Sequence, residues 1–118
     1  LTGLSMGGRG TFIVAAELAD TFAALLPLSP HHLPYSYLPL ADNVAHLPIW
    51  MMHGFVDSIS SFAMASAMAD ALAAAGATVE FHTQWGPWVS PGHWGWEHIY
   101  SDAEIMEWIL AWEKPSPP

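Results

Sequence analysis

Short apolar runs alternate with stretches of helical periodicity along the 118 residues, and that alternation limits the architecture more than any other feature. Parallel strands cannot be joined by a tight hairpin, so each needs a crossover, usually a helix. Leu1-Thr2-Gly3-Leu4 is the stub of a buried strand. Gly8 to about Ala19 reads as a helix, because Phe12, Ala15, Ala16 and Ala19 recur at spacings of three and four. Phe22 to Leu28 is a continuous apolar run closed by Pro27 and Ser29-Pro30, as expected of a strand covered on both faces. Residues 29–48 contain Pro30, Pro34, Pro39 and Pro48 and leave no room for a long helix.

Leu47 to His53 is the next strand, stopped by Gly54. Ser61 to Ala75 is the clearest helix: Met64, Met68 and Leu72 repeat every four residues as core positions, and Gly76 stands at the C-terminal stop. Val79 to Thr83 follows as a strand. Residues 84–98, with Trp85, Trp88, Trp94 and Trp96 among glycines and prolines, read as a loop. The last helix is expected from Ser101, where Ser101-x-x-Glu104 matches a capping box, with Ile105, Trp108, Ile109 and Trp112 as its stripe. The expected class is α/β: about four mostly parallel strands with crossover helices, one domain over 1–114 and a frayed tail over 115–118.

Composition bounds the partners. Charged residues make up 11% of the chain, against about 25% in an average protein. The chain is therefore short of polar cover, and an apolar face that self-associates as a dimer or higher homo-oligomer is expected. The net charge of −9, with Arg9 and Lys114 the two fixed cations, repels nucleic acid and anionic membrane surfaces and suits a small neutral substrate. The absence of cysteine excludes disulfides, thiol nucleophiles and thiolate metal sites. No signal peptide or spanning segment is visible, which leans toward a cytoplasmic location, although the chain opens at Leu1 in mid-motif.

Gly3-Leu4-Ser5-Met6-Gly7 is a G-x-S-x-G match between a strand stub and a helix. A serine there sits in a strained turn that lifts its hydroxyl clear of the sheet, with small residues at Gly3 and Gly7 relieving the crowding. The helix N-terminus favours developing negative charge, and the Met6 N–H is placed as an oxyanion donor. A hydroxyl is a poor nucleophile near neutral pH and needs an imidazole base, itself oriented by an acid. Asp57 lies just past the strand 47–53, at the edge of the sheet where sites in open α/β folds gather. Its structural alternative is capping the next helix, a task Ser58 or Ser60 could take instead. His93 follows the last strand beside Gly92, which frees the backbone; His98, five residues on, is the rival base.

These residues resemble the esterase and predicted-peptidase branch of the α/β-hydrolases, related to feruloyl esterases and polyhydroxybutyrate depolymerases. The likeness is carried by Leu1 to Thr11, by Pro48-Ile-Trp-Met-Met-His-Gly-Phe-Val-Asp57, and by Gly92-His93 followed by Tyr100-Ser101-Asp102 and Glu107-Trp108-Ile109-Leu110. The resemblance implies a truncated α/β-hydrolase catalytic domain with Ser5 as nucleophile, Asp57 as acid and His93 as base, and no cofactor. It also implies an N-terminal half, here missing, that supplies the first strands and a second oxyanion donor.

The expected activity is hydrolysis of short-chain carboxylic esters through an acyl-enzyme. The alternative is a catalytically silent module for binding or assembly; peptide hydrolysis is a third reading, made harder by the poorer leaving group of an amide. Trp88 and Trp94 are candidate substrate contacts, able to stack on a sugar or an aromatic acyl group or to wall an acyl pocket. Arg9 is expected to pair with an acidic residue. His31-His32 and the group of His93, Glu97 and His98 lack the i, i+4 spacing of a helical zinc site, so no metal is expected.

Overall fold

The computed structural model describes residues 1–84 and 91–114. Four strands, β1 (Thr2–Leu4), β2 (Leu26–Leu28), β3 (Ile49–Met52) and β4 (Val79–His82), form one sheet in the order β1-β2-β3-β4. All three neighbouring pairs are parallel, with Thr2 opposite Leu26, Leu28 opposite Met52 and Ile49 opposite Val79. The crossovers carry α1 (Met6–Glu17), the short α2 (Ala41–Val44) after a 3₁₀ turn at Leu38–Leu40, and α3 (Phe62–Ala74). Two further helices, α4 (Trp96–Tyr100) and α5 (Ala103–Leu110), follow β4.

The apolar run of β3 is explained by cover on both faces. Side chains alternate across a strand, so Ile49 and Met51 enter one cluster with Phe12, Leu25, Val44, Met68 and Leu72. Trp50 and Met52 enter a second cluster with Leu26, Leu28, Ile99 and Ile105. The first packs the sheet against α1, α2 and α3; the second packs it against α4 and α5. Phe12 stacks on Tyr37 with ring centroids 5.1 Å apart, and Trp50 meets Trp108 edge-on at 5.4 Å. Each such buried side chain contributes about 1.5–3 kcal/mol.

Four local expectations are corrected. Helix α1 begins at Met6 rather than Gly8, because the turn at Ser5 leads straight into it. The strand expected over 22–28 shortens to Leu26–Leu28, with Leu25 joined to Ile49 by an isolated bridge. The loop expected over 84–98 gives way to α4 from Trp96, held by the buried Ile99 and by a bond from Trp96 Nε1 to Ser29 Oγ at 3.1 Å. The last helix is capped by Asp102, whose carboxylate accepts the Ile105 N–H at 3.1 Å; Ser101 instead donates to the Glu97 carbonyl at 2.7 Å. Met68 and Leu72 are buried as expected, and Met64 packs against them half-buried.

Candidate active site

Ser5 sits between β1 and α1 with φ 56° and ψ −115°, a left-handed conformation that costs a non-glycine residue about 1–3 kcal/mol. The surroundings hold it there. Its N–H donates to Leu28 O at 2.9 Å, tying the turn to the end of β2. Its carbonyl accepts from Gly8, Arg9 and His31 N–H at 3.0, 3.2 and 3.0 Å. A methyl on Gly3 would collide with the Gly7 backbone, whereas one on Gly7 would meet open space. The demand for a small residue therefore falls on Gly3 rather than on both. Met6 opens α1 and its N–H has no acceptor within the helix.

Asp57 lies in the turn after β3, its side chain fully buried. Oδ1 accepts the Ile59 and Ser60 N–H groups, both at 2.8 Å. Oδ2 faces His93 Nδ1 at 2.6 Å and His53 Nε2 at 3.4 Å. Burial opposes the charge of Asp57, but the bonds from Ser60 N–H, His93 and Ile59 N–H outweigh it and hold the carboxyl below its usual range. Helix α3 is capped by Ser61, which accepts the Met64 N–H at 3.1 Å, so neither Asp57, Ser58 nor Ser60 serves as its N-cap.

His93, 6% exposed, presents Nε2 to Ser5 Oγ at 2.9 Å. A carboxylate only accepts, so Nδ1 carries the proton toward Asp57 and Nε2 is left to accept from the hydroxyl. The loop reaches this position because Gly54 lacks a side chain: a methyl there would collide with the carbonyl oxygens of Pro91 and Gly92. The Val56 N–H also donates to Pro91 O at 3.0 Å. The ring of Trp96 lies edge-on to His93 at 5.0 Å.

The rival base is elsewhere. His98 is 47% exposed on α4 with its Nε2 3.7 Å from the Glu97 carboxylate. Arg9 is buried without an acidic partner among the described residues, contrary to expectation: its Nε donates to Tyr35 O at 3.1 Å and its guanidinium lies 4.5 Å from the centre of the Tyr35 ring. His31 Nδ1 pairs with Ser60 Oγ at 2.8 Å, and His32 Nδ1 accepts the Ser61 N–H at 3.1 Å. Among the described residues, no three His, Asp or Glu side chains are grouped to hold a metal ion.

Trp94 adjoins His93 and is 64% exposed, while Trp88 and Trp85 lie outside the described residues. Met6, Phe55, Val56 and Ile59 are also exposed, each within two residues of Ser5 or Asp57. The sequence marks Gly54 as a strand stop and Ser60 as a possible cap and gives His53 no role; the proximity of all three to Asp57 along the chain is the one hint of their place in the site.

No protein-family model matches the chain. No curated protein matches it either. Solved structures do. The crystal structure of a thermostable esterase superposes with a TM-score of 0.79 at 27% identity, covering 94% of this chain and 30% of that one. The crystal structure of a protein of Klebsiella pneumoniae subsp. pneumoniae MGH 78578, assigned as a dienelactone hydrolase, superposes with a TM-score of 0.63 at 21% identity, covering 94% of this chain and 49% of that one. The chain thus spans less than half the length of either. The four-stranded parallel sheet with its helices is part of an α/β-hydrolase fold.

Proposed function

We propose that the chain carries a serine hydrolase site that cleaves carboxylic esters, with Ser5 as nucleophile, His93 as base and then acid, and Asp57 as the group that orients it. One observation carries this reading: Ser5 Oγ, His93 and Asp57 Oδ2 form an unbroken line of contacts at 2.9 and 2.6 Å, set on an elbow held in a left-handed conformation.

In that mechanism Ser5 Oγ bonds to the acyl carbon while its proton passes to His93 Nε2. The carbonyl electron pair moves onto oxygen, facing the Met6 N–H at the start of α1. Collapse breaks the C–O bond to the alcohol, which leaves with the proton from His93 and leaves the acyl group on Ser5. Water then repeats the sequence, with His93 taking its proton, and releases the acid. Asp57 holds the imidazole tautomer throughout and stabilises the imidazolium. The two structural neighbours bear the names of an esterase and a dienelactone hydrolase, and acyl C–O cleavage is the step those names share.

The exposed apolar groups beside the triad (Met6, Phe55, Val56, Ile59 and Trp94) favour an apolar, uncharged acyl group, with Trp94 as a contact. The net charge of −9 works against an anionic one. Short acyl chains suit an exposed rim of this kind. The test is Ser5→Ala, expected to lower turnover of a p-nitrophenyl butyrate ester by at least about 10³-fold with the circular dichroism spectrum unchanged. A fluorophosphonate should label the wild-type chain and not the variant. Full activity in Ser5→Ala would show that another group is the nucleophile.

A further inference from the structure

The mechanism leaves one buried histidine unused. His53 follows β3 and its side chain is wholly enclosed. Its Nε2 lies 2.9 Å from the Ser60 carbonyl and 3.4 Å from Asp57 Oδ2. Both are acceptors, so Nε2 carries the proton and Nδ1 does not. One N–H is therefore shared, with the closer contact to the carbonyl and the longer one to the carboxylate. That carboxylate oxygen is also the one that receives His93 Nδ1–H.

The neighbourhood gives this sharing a consequence. Ser60 donates its own N–H to Asp57 Oδ1, and its hydroxyl pairs with His31, whose N–H holds the Ser5 carbonyl. The turn 57–60 thus contacts His93 directly and reaches Ser5 through His31, and His53 Nε2 faces both of its ends. Simple packing does not explain an imidazole here. Its Nδ1 is buried with no hydrogen-bond partner among the described residues, a cost that an apolar side chain of similar size would avoid. The other ring in contact, Phe62 of α3 at 6.1 Å, shows the apolar character of that wall.

We propose that His53 is a positioning residue: its shared Nε2–H fixes the Asp57 carboxylate against His93 and moderates the pull of Oδ2 on the His93 Nδ1 proton. The proposal rests on the serine hydrolase reading above. Burial keeps the imidazole below its ordinary range despite the Ser60 carbonyl and Asp57, so it acts as a neutral donor. The titratable groups around it are Asp57 in its own loop, His93 after β4, His32 after β2, and His82, whose carbonyl accepts the His53 N–H at 3.0 Å.

The experiment compares His53→Leu, His53→Asn and His53→Gln in the full chain. The glutamine amide reaches the place of Nε2; leucine and asparagine do not. With p-nitrophenyl butyrate, Leu and Asn should lower kcat about tenfold with KM kept within about twofold. Without the shared N–H, Oδ2 is more basic and stabilises the imidazolium better. The acid limb of the kcat profile then moves to higher pH, and the low-field proton resonance of His93 Nδ1–H shifts. Gln should restore all three toward wild type.

Fluorophosphonate labelling of the wild type separates the two ideas. A wild type that is not labelled overturns the hydrolase reading, and the His93 proton resonance then decides the His53 contact alone. A labelled wild type with kcat, acid limb and resonance unchanged in His53→Leu overturns the positioning role. If the leucine variant fails to fold, Asn against Gln decides: equal kcat and equal acid limbs overturn it.

Discussion

Replacing Gly54 by alanine tests whether the site depends on one close approach of backbone to backbone. Cβ at Gly54 would lie inside the contact distance of both the Pro91 and the Gly92 carbonyl oxygens. Ordinary contact needs about 3.5 Å, so the 91–93 segment must retreat by about 1 Å or more. Its first loss is the bond from Val56 N–H to Pro91 O, now 3.0 Å long, at about 1 kcal/mol. His93 is the next residue in that segment. Its 2.9 Å contact with Ser5 Oγ and 2.6 Å contact with Asp57 cannot both survive such a shift.

A misplacement of about 1 Å costs about 10²-fold in rate, whereas overpacking costs about 1–3 kcal/mol of stability. Gly54→Ala should therefore lose about 100-fold in kcat while still unfolding cooperatively in urea. Steady-state hydrolysis of p-nitrophenyl butyrate alongside a urea melt measures both. Wild-type kcat in a folded Gly54→Ala protein would refute the claim that this approach places His93.

Two further outcomes follow from details of the fold. Asp102→Ala should cost about 1 kcal/mol in urea melts and Ser101→Ala only a few tenths, since Asp102 is the cap of α5; the reverse order would restore the capping box read from sequence. Stability should fall on acidification in two windows. Below about pH 6.5 an unfolded His53 takes up a proton that the folded one refuses, costing up to about 1.4 kcal/mol per pH unit until its lowered folded value is reached. Asp57 adds the opposite case of charge held, not refused: its contribution is full above about pH 3.9 and is lost as pH falls through its lower folded value. Urea melts at pH 7.5 and 5.0 should show a smaller loss for His53→Gln than for wild type; equal losses would contradict the first window.

What could be read from the residues was set by how local its cause is. The G-x-S-x-G pattern leaves room for the elbow within a few residues, since Gly3 makes way for the Gly7 backbone, so the elbow is legible, as is β3 from its unbroken apolar run. Helix α3 was legible from its period and from the stop at Gly76. Helix α4 was not. It is five residues long, opens at a glycine with φ 95° and is held by Ile99 in the second core and by the reach of Trp96 to Ser29, contacts with no sequence period. Gly7 and Gly8 are weak helix formers and point to a later start for α1, but the elbow overrides that preference. For Arg9, charge alone favours a carboxylate, whereas the fold supplies a ring and a carbonyl. The proposed triad of Ser5, Asp57 and His93 is nameable from residue type and place, whereas Gly54 and Ser60 matter through contacts with the distant Pro91, Gly92 and His31, which chain order does not show.

The hydroxyl and the imidazole that meet at 2.9 Å are 88 positions apart in the chain. During synthesis at about 5–20 residues per second, the serine is made roughly 4–18 s before that imidazole. For that interval, on the proposed reading, it is an ordinary alcohol without an activating base. In the proposed mechanism, reactivity therefore waits for the loop that carries His93 to close on Ser5.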